Sequence, residues 1–278
     1  MRRKRITITI KPSILKKLDE IIDGNTIRNR SHAIEKILEE HFKSKIDTAV
    51  ILAGGQGKQL RPYTWEVPKP LLPVKGKPIL QYTLENLKRA GIRTVYICIG
   101  YLGEKIKKEF KDGRKLGLKI KYVEEKEPLL TGGALKALER KLKLPFILIY
   151  GDILTYLDFE ELIDFHLQNN AIGTVALSLS DHPELYGQIS IRGIKLSKFF
   201  GKSKEKIKSA IVNAGIYIFN PEIFSYFPKK KKFYLEDVLK QLIDKDILIG
   251  YLFDAQWFDV GTKETYEKAI KTFQPYQS

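Results

Sequence analysis

Gly54, Gly55 and Gly57 follow directly on the apolar run DTAVILA, where a buried strand would give way to a loop. Glycines at a strand's end let backbone N–H groups approach phosphate oxygens closely, so the first chemistry on offer is phosphate binding. Neither common phosphate loop is present. A GxxxxGK[ST] loop ending in Lys58 would need glycine at 52 and Ser or Thr at 59, where Leu52 and Gln59 stand. A GxGxxG loop read from Gly55 and Gly57 would need glycine at 60, where Leu60 stands. The same three glycines would also serve as a plain turn. Farther along, Lys69 sits between Pro68 and Pro70, Asp152 follows the apolar run PFILIY, and Asp259 follows QWF. Either aspartate alone is more often a turn or cap residue.

Residues 46–278 alternate apolar strands with amphipathic helices. DTAVILA is followed by the helical ILQYTLENLKRAG, the strand IRTVYICIG, the helical LGEKIKKEFK and the strand LKIKYV. TGGALKALERK then reads as a helix and PFILIY as a strand. Such βαβ alternation with continuous apolar strands predicts an α/β fold: a Rossmann-like, mostly parallel, doubly wound sheet covered on both faces. From about 172 to 219 strands dominate (IGTVALSLS, YGQISI, IYIF), which predicts an inserted β-rich layer. KETYEKAIKTF closes the chain as a helix. His166 is expected on a helix without chemical duty, and Lys229–Lys232 as a solvated loop.

Residues 1–45 follow a different plan. Ile6, Ile8 and Ile10 alternate with Arg3, Arg5, Thr7 and Thr9, which predicts a two-faced strand. Pro12 opens a helix with Ile14, Leu15, Leu18, Ile21 and Ile22 on one side, ended by Gly24 and Asn25. Ser31 is expected to cap a second helix with Ile34, Ile37, Leu38 and Phe42 facing inward. One strand and two short helices cannot close a core, so this head is expected to pair with a second copy.

The formal charge is +16, and the head holds 12 Lys/Arg against 6 Asp/Glu, a denser positive charge than the remainder carries. That balance points to anionic partners. No apolar run reaches about 18 residues, so no membrane span is expected. MRRKR is not followed by an apolar signal core, and the one cysteine, Cys98, excludes an internal disulfide framework. Both point to a cytoplasmic protein.

The segment LRPYTWEVPKPLLPV after the glycine loop, with TGGALKAL, YGD, VNAGIYIF and WFDVGT spaced over 47–274, resembles the nucleotidyltransferases that join a sugar 1-phosphate to a nucleoside triphosphate. The mannose- and heptose-type guanylyltransferases are the nearest in character. The resemblance implies a nucleotide side made by Leu52, Ala53, Gly54, Gly55, Gly57, Glu125, Thr131 and Gly132. It implies that Lys69 stabilises charge on the α-phosphate, and that Asp152 and Asp259 hold Mg²⁺ against the triphosphate. Gly187, Lys202 and Asn213 would contact the sugar in the β-rich, sugar-side part. The chain departs from that family's pattern in three places. Lys58-Gln59 stands for Thr-Arg in the catalytic loop, Leu130 for a glycine, and Gly201-Lys202-Ser203 for Glu-Lys-Pro. Losing one preorganised cationic donor costs about 10²–10³ in rate, so nucleotide binding should survive Gln59 better than turnover. An inactive sensor of a sugar nucleotide is the alternative.

The head, through KRITITIKPSILKKLDEII and NRSHAIEKIL, resembles the ribbon-helix-helix DNA-binding domains. The resemblance implies a homodimer whose paired strands enter the DNA major groove. Arg3, Arg5, Thr7 and Thr9 would then face the bases, and Ser31 would lie near a phosphate. A dimerisation handle without DNA binding is the alternative.

Overall fold

The computed structural model describes residues 6–42, 46–201 and 208–275. The chain divides into two compact units, Met1–Lys45 and Ile46–Ser278. Among the described residues no helix is long and apolar enough to cross a membrane.

The first unit contains helices α1 (Pro12–Glu20) and α2 (Arg30–Phe42). They are tied by the Arg30 guanidinium, which donates to both Asp19 oxygens at 2.7 and 2.8 Å. Residues 6–10 join no ladder within the single chain, whose expected strand partner is a second copy. Two expectations are corrected. Helix α1 stops at Glu20, since the Asp23 carboxylate gathers the amides of Asn25, Thr26 and Ile27 into a competing turn. Ser31 lies inside α2, and Asn29 is the residue whose side chain takes a first-turn amide, that of His32, at 2.9 Å. Leu18 and Ala33 are buried, whereas Ile6, Ile8, Ile14, Ile21, Ile37 and Leu38 are exposed. Arg3 and Arg5 lie outside the described residues.

In the second unit, strand β1 (Thr48–Ala53) is the first of a nine-stranded sheet. A short hairpin, β2 (Pro73–Val74) and β3 (Lys77–Pro78), leads into α3 (Ile79–Arg89). Then come β4 (Thr94–Ile99), α4 (Gly103–Phe110), β5 (Lys119–Glu124), α5 (Leu130–Lys136) and β6 (Phe146–Tyr150). The chain continues with β7 (Ile153–Thr155), α6 (Phe159–Asn169), β8 (Gly173–Leu179), β9 (Gln188–Arg192) and β10 (Lys195–Gly201). It ends with β11 (Ile211–Phe219), α7 (Leu235–Asp244), β12 (Leu248–Leu252), β13 (Trp257–Asp259) and α8 (Lys263–Thr272).

The sheet order is β5-β4-β1-β6-β11-β8-β12-β10-β9. β5, β4, β1 and β6 are parallel, but β11 runs antiparallel between β6 and β8, and β10 is antiparallel to both β12 and β9. The sheet is therefore mixed rather than mostly parallel. The strands expected as an inserted layer instead extend the same sheet, because β11 finds its partner at the open edge of β6. Helix α5 is also shorter than TGGALKALERK suggested, ending at Lys136.

Alternation along the strands sorts the two faces, as the pleat requires. Ala49, Ile51, Ala53, Ile147 and Ile149 pack with Leu80, Leu84 and Leu87 of α3, Ile106 of α4 and Phe159 and Leu162 of α6. Val50, Leu148, Tyr217 and Phe219 pack with Leu135 of α5 and Leu235, Val238, Leu239 and Leu242 of α7. Helices thus cover both faces, as the apolar runs required. Caps hold the loops that matter below. Asp158 takes the Glu160 and Glu161 amides at the start of α6, and Thr262 forms a capping box with Thr265 at the start of α8.

Candidate active site

Two cavities open beside the carboxyl ends of β1 and β6, of about 720 and about 960 Å³. This is where open α/β sheets bind ligands. Tyr150, Asp152 and Tyr234 line both, so the cavities meet at Asp152.

The smaller cavity is floored by the glycine loop. Gly57 adopts φ +60°, and its carbonyl accepts the Thr64 hydroxyl at 2.7 Å, which ties the loop to the segment after it. A Cβ on Gly54 would lie 2.5 Å from Glu125 Oε1, so glycine is needed for the carboxylate to come this close. Glu125 also accepts the Leu129 amide at 3.1 Å, and burial pushes its carboxyl above the ordinary value despite that bond. Leu52, Gly54, Gly55, Gly57, Lys58, Glu125 and Thr131 all line this cavity. Ala53 and Gly132 do not. Ala53 is buried, and a Cβ on Gly132 would overlap the Phe233 ring, so Gly132 serves close contact between α5 and the loop before α7. Leu130, also on the wall, is held at φ +64°, a left-handed conformation that strains a branched side chain.

Lys69 is pinned in a 3₁₀ turn (Lys69–Leu71) between its prolines, with the Leu71 amide bonded to Pro68 O at 2.8 Å. From there its ammonium reaches 83 residues along the chain to Asp152 Oδ2, at 2.7 Å. Burial pulls the Lys69 pKa down, but Asp152, with its hydrogen bond, and Asp259 together hold it above its ordinary value. Asp152 and Asp259 are brought together by the antiparallel β7–β13 pair, which sets Asp259 opposite Ile153 and bonds the Val260 amide to Asp152 O at 3.0 Å. Gly261 leaves room for the Asp259 carboxylate, since a Cβ there would stand 3.0 Å from Oδ1.

Lys69, Asp152 and Asp259 line the larger cavity together with Gln59. The pair Lys58-Gln59 is therefore split, with Lys58 on the smaller cavity and Gln59 on the larger. Gly187 and Asn213 line the larger cavity side by side, joined by the Asn213 backbone N–H, which donates to Gly187 O at 2.9 Å. Lys202 lies outside the described residues. Glu184, Tyr186, Glu236, Asp237 and Lys240 also line this cavity and carry no motif in the sequence. Glu236 and Asp237 show a faint signal, acidic residues in the first turn of a helix.

Away from the cavities, His166 is buried against Thr174 and Asn220 at 2.9 and 3.2 Å, and burial lowers its pKa. It is a satisfied core histidine. Lys229–Lys232 are exposed. Among the described residues no group of three or more His, Cys, Asp or Glu is arranged to hold a metal.

The chain is similar to known nucleotidyltransferases. D-glycero-alpha-D-manno-heptose 1-phosphate guanylyltransferase of Aneurinibacillus thermoaerophilus is 36% identical over 230 residues, covering 82% of this chain and 99% of the relative. Mannose-1-phosphate guanylyltransferase of Mycobacterium tuberculosis is 35% identical over 222 residues, 78% of this chain and 62% of the relative. The chain thus spans about three fifths of the length of some of its relatives. HddC from Yersinia pseudotuberculosis, solved in complex with GMP-PN, superposes with a TM-score of 0.69 at 26% identity, covering 82% of this chain and 100% of that one. With residues 48–274 matching the family model described as Nucleotidyl transferase, the chain belongs to the nucleotidyl transferase family.

Proposed function

We propose that the second unit transfers a nucleotidyl group from a nucleoside triphosphate to a sugar 1-phosphate, yielding a nucleoside diphosphate sugar and pyrophosphate. The observation that carries this reading is the meeting of Lys69, Asp152 and Asp259 at the junction of two cavities. The base and ribose take the smaller cavity, beside Glu125 and the glycine loop, and the sugar takes the larger one, beside Gly187 and Asn213. A phosphate oxygen of the sugar 1-phosphate attacks the α-phosphorus in line, the bond to the β-phosphate oxygen breaks, and pyrophosphate leaves. Lys69 offsets charge gathering on the α-phosphate, reaching it from a 3₁₀ turn that fixes its backbone on the wall of the larger cavity. Named sugar-1-phosphate guanylyltransferases among the relatives support the same class.

Asp152 and Asp259 fit Mg²⁺, which binds through one or two carboxylates and fills its remaining positions with phosphate oxygens and water. When bound it would neutralise triphosphate charge. The test is pyrophosphate release from a panel of nucleoside triphosphates paired with sugar 1-phosphates, with Mg²⁺ present. Release by some pair is expected, and folded protein that releases none refutes the reading.

The first unit is proposed to be a ribbon-helix-helix head that pairs with a second copy and binds DNA, coupling the enzyme to transcription. Its support is the exposed isoleucines on a unit that cannot bury them itself, and its dense positive charge. A second reading follows from Gln59, which places an uncharged amide in the cavity beside Lys69 and the aspartates. A protein so built binds a sugar nucleotide, turns it over poorly and reports it to the head.

A further inference from the structure

A line of hydrogen bonds runs beneath the place where the cavities join. The Asn213 amide donates to the Tyr217 hydroxyl at 2.7 Å, and the Tyr217 hydroxyl donates to that of Tyr150 at 3.4 Å. Tyr150 donates to Glu236 Oε1 at 2.9 Å. From the other side the Thr131 hydroxyl donates to Glu236 Oε2 at 3.0 Å, while accepting the Leu235 amide at 2.9 Å. Each hydroxyl has one proton to give, so the direction is set: every donor points toward Glu236. Asn213 is oriented too, because its Oδ1 accepts the Gly215 amide at 3.0 Å.

The ends of this line belong to different cavities. Thr131 lies in the first turn of α5 on the smaller one, whereas Asn213 and Glu236 line the larger one. Tyr150 forms part of both walls. Burial, together with Tyr217 and Glu236, pushes the Tyr150 phenol well above its ordinary pKa, so it remains a donor across the neutral range. Glu236 itself sits in the first turn of α7, where the helix favours an anion.

We propose that Glu236 is a positioning residue that couples the two substrate cavities, one carboxylate oxygen holding Thr131 on the nucleotide side and the other holding Tyr150 on the shared wall. A displacement of Asn213 or Tyr150 by the sugar phosphate is transmitted to the start of α5, and nucleotide binding is felt in return, as linkage requires. The inference rests on the assignment of the two cavities to nucleotide and sugar phosphate. Glutamine at 236 keeps one acceptor but turns an N–H group toward the other hydroxyl, which breaks the line at one place without changing volume.

The experiment uses the full chain as wild type, Glu236→Gln, Thr131→Val and the double variant. Pyrophosphate release is measured with the most active pair from the substrate panel, each substrate varied against a saturating partner. Glu236→Gln is expected to raise the KM for both substrates about 10-fold, the loss expected for a hydrogen bond to a charged group. Adding Thr131→Val should then change little, since both remove the same link. A raised KM for the sugar phosphate alone, or fully additive effects, overturns the proposal. Should Glu236→Gln fail to fold, Thr131→Val carries the test, because it lies on the nucleotide side: a raised KM for the sugar phosphate supports coupling, and an unchanged one overturns it. If wild type turns nothing over, the proposed reaction falls and the coupling is read from GTP binding by calorimetry. Mannose 1-phosphate should then shift GTP affinity in wild type and not in Glu236→Gln. No shift in wild type overturns the coupling.

Discussion

Replacing Lys69 by methionine keeps most of the apolar stem of the side chain and removes its charge. The Lys69 side chain is 18% exposed and that of its partner Asp152 24%, so the pair is not a solvated surface bridge worth almost nothing. A hydrogen bond of 2.7 Å between charged groups in such a place contributes about 2 kcal/mol. Its loss also leaves Asp152 and Asp259 facing each other without the cation. For a unit of this size the expected fall in Tm without Mg²⁺ is about 4–8 °C. Mg²⁺ should recover part of it in Lys69→Met, because the ion takes over the carboxylates. Turnover should fall about 10²–10³-fold, the usual cost of one preorganised donor. The pH dependence has a definite sign. Lys69 is raised in the folded protein, so its contribution is complete below the ordinary lysine value of about 10.4 and is lost as pH climbs through the folded value. The Tm difference between wild type and Lys69→Met should therefore be flat through neutral pH and shrink only in strong alkali. Scanning calorimetry across pH and a pyrophosphate assay read these outcomes. A variant that melts like wild type and retains turnover within about threefold would refute the reasoning.

Gln59→Arg places a fork of donors in the larger cavity beside the reacting centre, and the pyrophosphate assay should show a gain of about 10-fold or more if the native loop is handicapped. Leu130→Gly removes a side chain from a left-handed backbone at φ +64° and should raise the unfolding free energy by about 1 kcal/mol at most, read as a higher denaturant midpoint, because glycine also loosens the unfolded chain. Glu125→Gln should flatten the pH profile of stability. Burial raises the folded Glu125 pKa, so its contribution is present below the ordinary value of about 4.3 and lost as pH rises through the folded one, a slope the amide cannot show. Removing residues 1–45 should abolish DNA binding and lower the mass measured by sedimentation, and equal DNA affinity with and without the head would contradict its assigned role.

The second unit's layered plan was legible because its apolar runs are long and its helices periodic, so β1, β4, β5 and β6 needed no tertiary information. Strand direction beyond β6 was not legible, since an apolar run is the same read either way. β11 became antiparallel through its pairing with β6 and β8. Ser31 lost the cap to Asn29 because local side-chain competition decides a helix start within a residue or two. For the site, Lys69, Asp152 and Asp259 were singled out through the family resemblance of the segments that hold them, since either aspartate alone reads as a turn or cap residue. Their meeting depends on residues 83 apart for one pair and on the β7–β13 register for the other, which no local pattern encodes. Gly132, which the resemblance places on the nucleotide side, also packs against Phe233, a contact only the fold brings about. Glu236 shows the reverse case: an ordinary first-turn glutamate in the sequence, it gains its two partners only when β6, α5 and α7 come together. The sequence determined which groups were available and roughly where the chain turns. Tertiary structure alone decided which of them share a cavity, since that is set by strand order and register between segments distant along the chain.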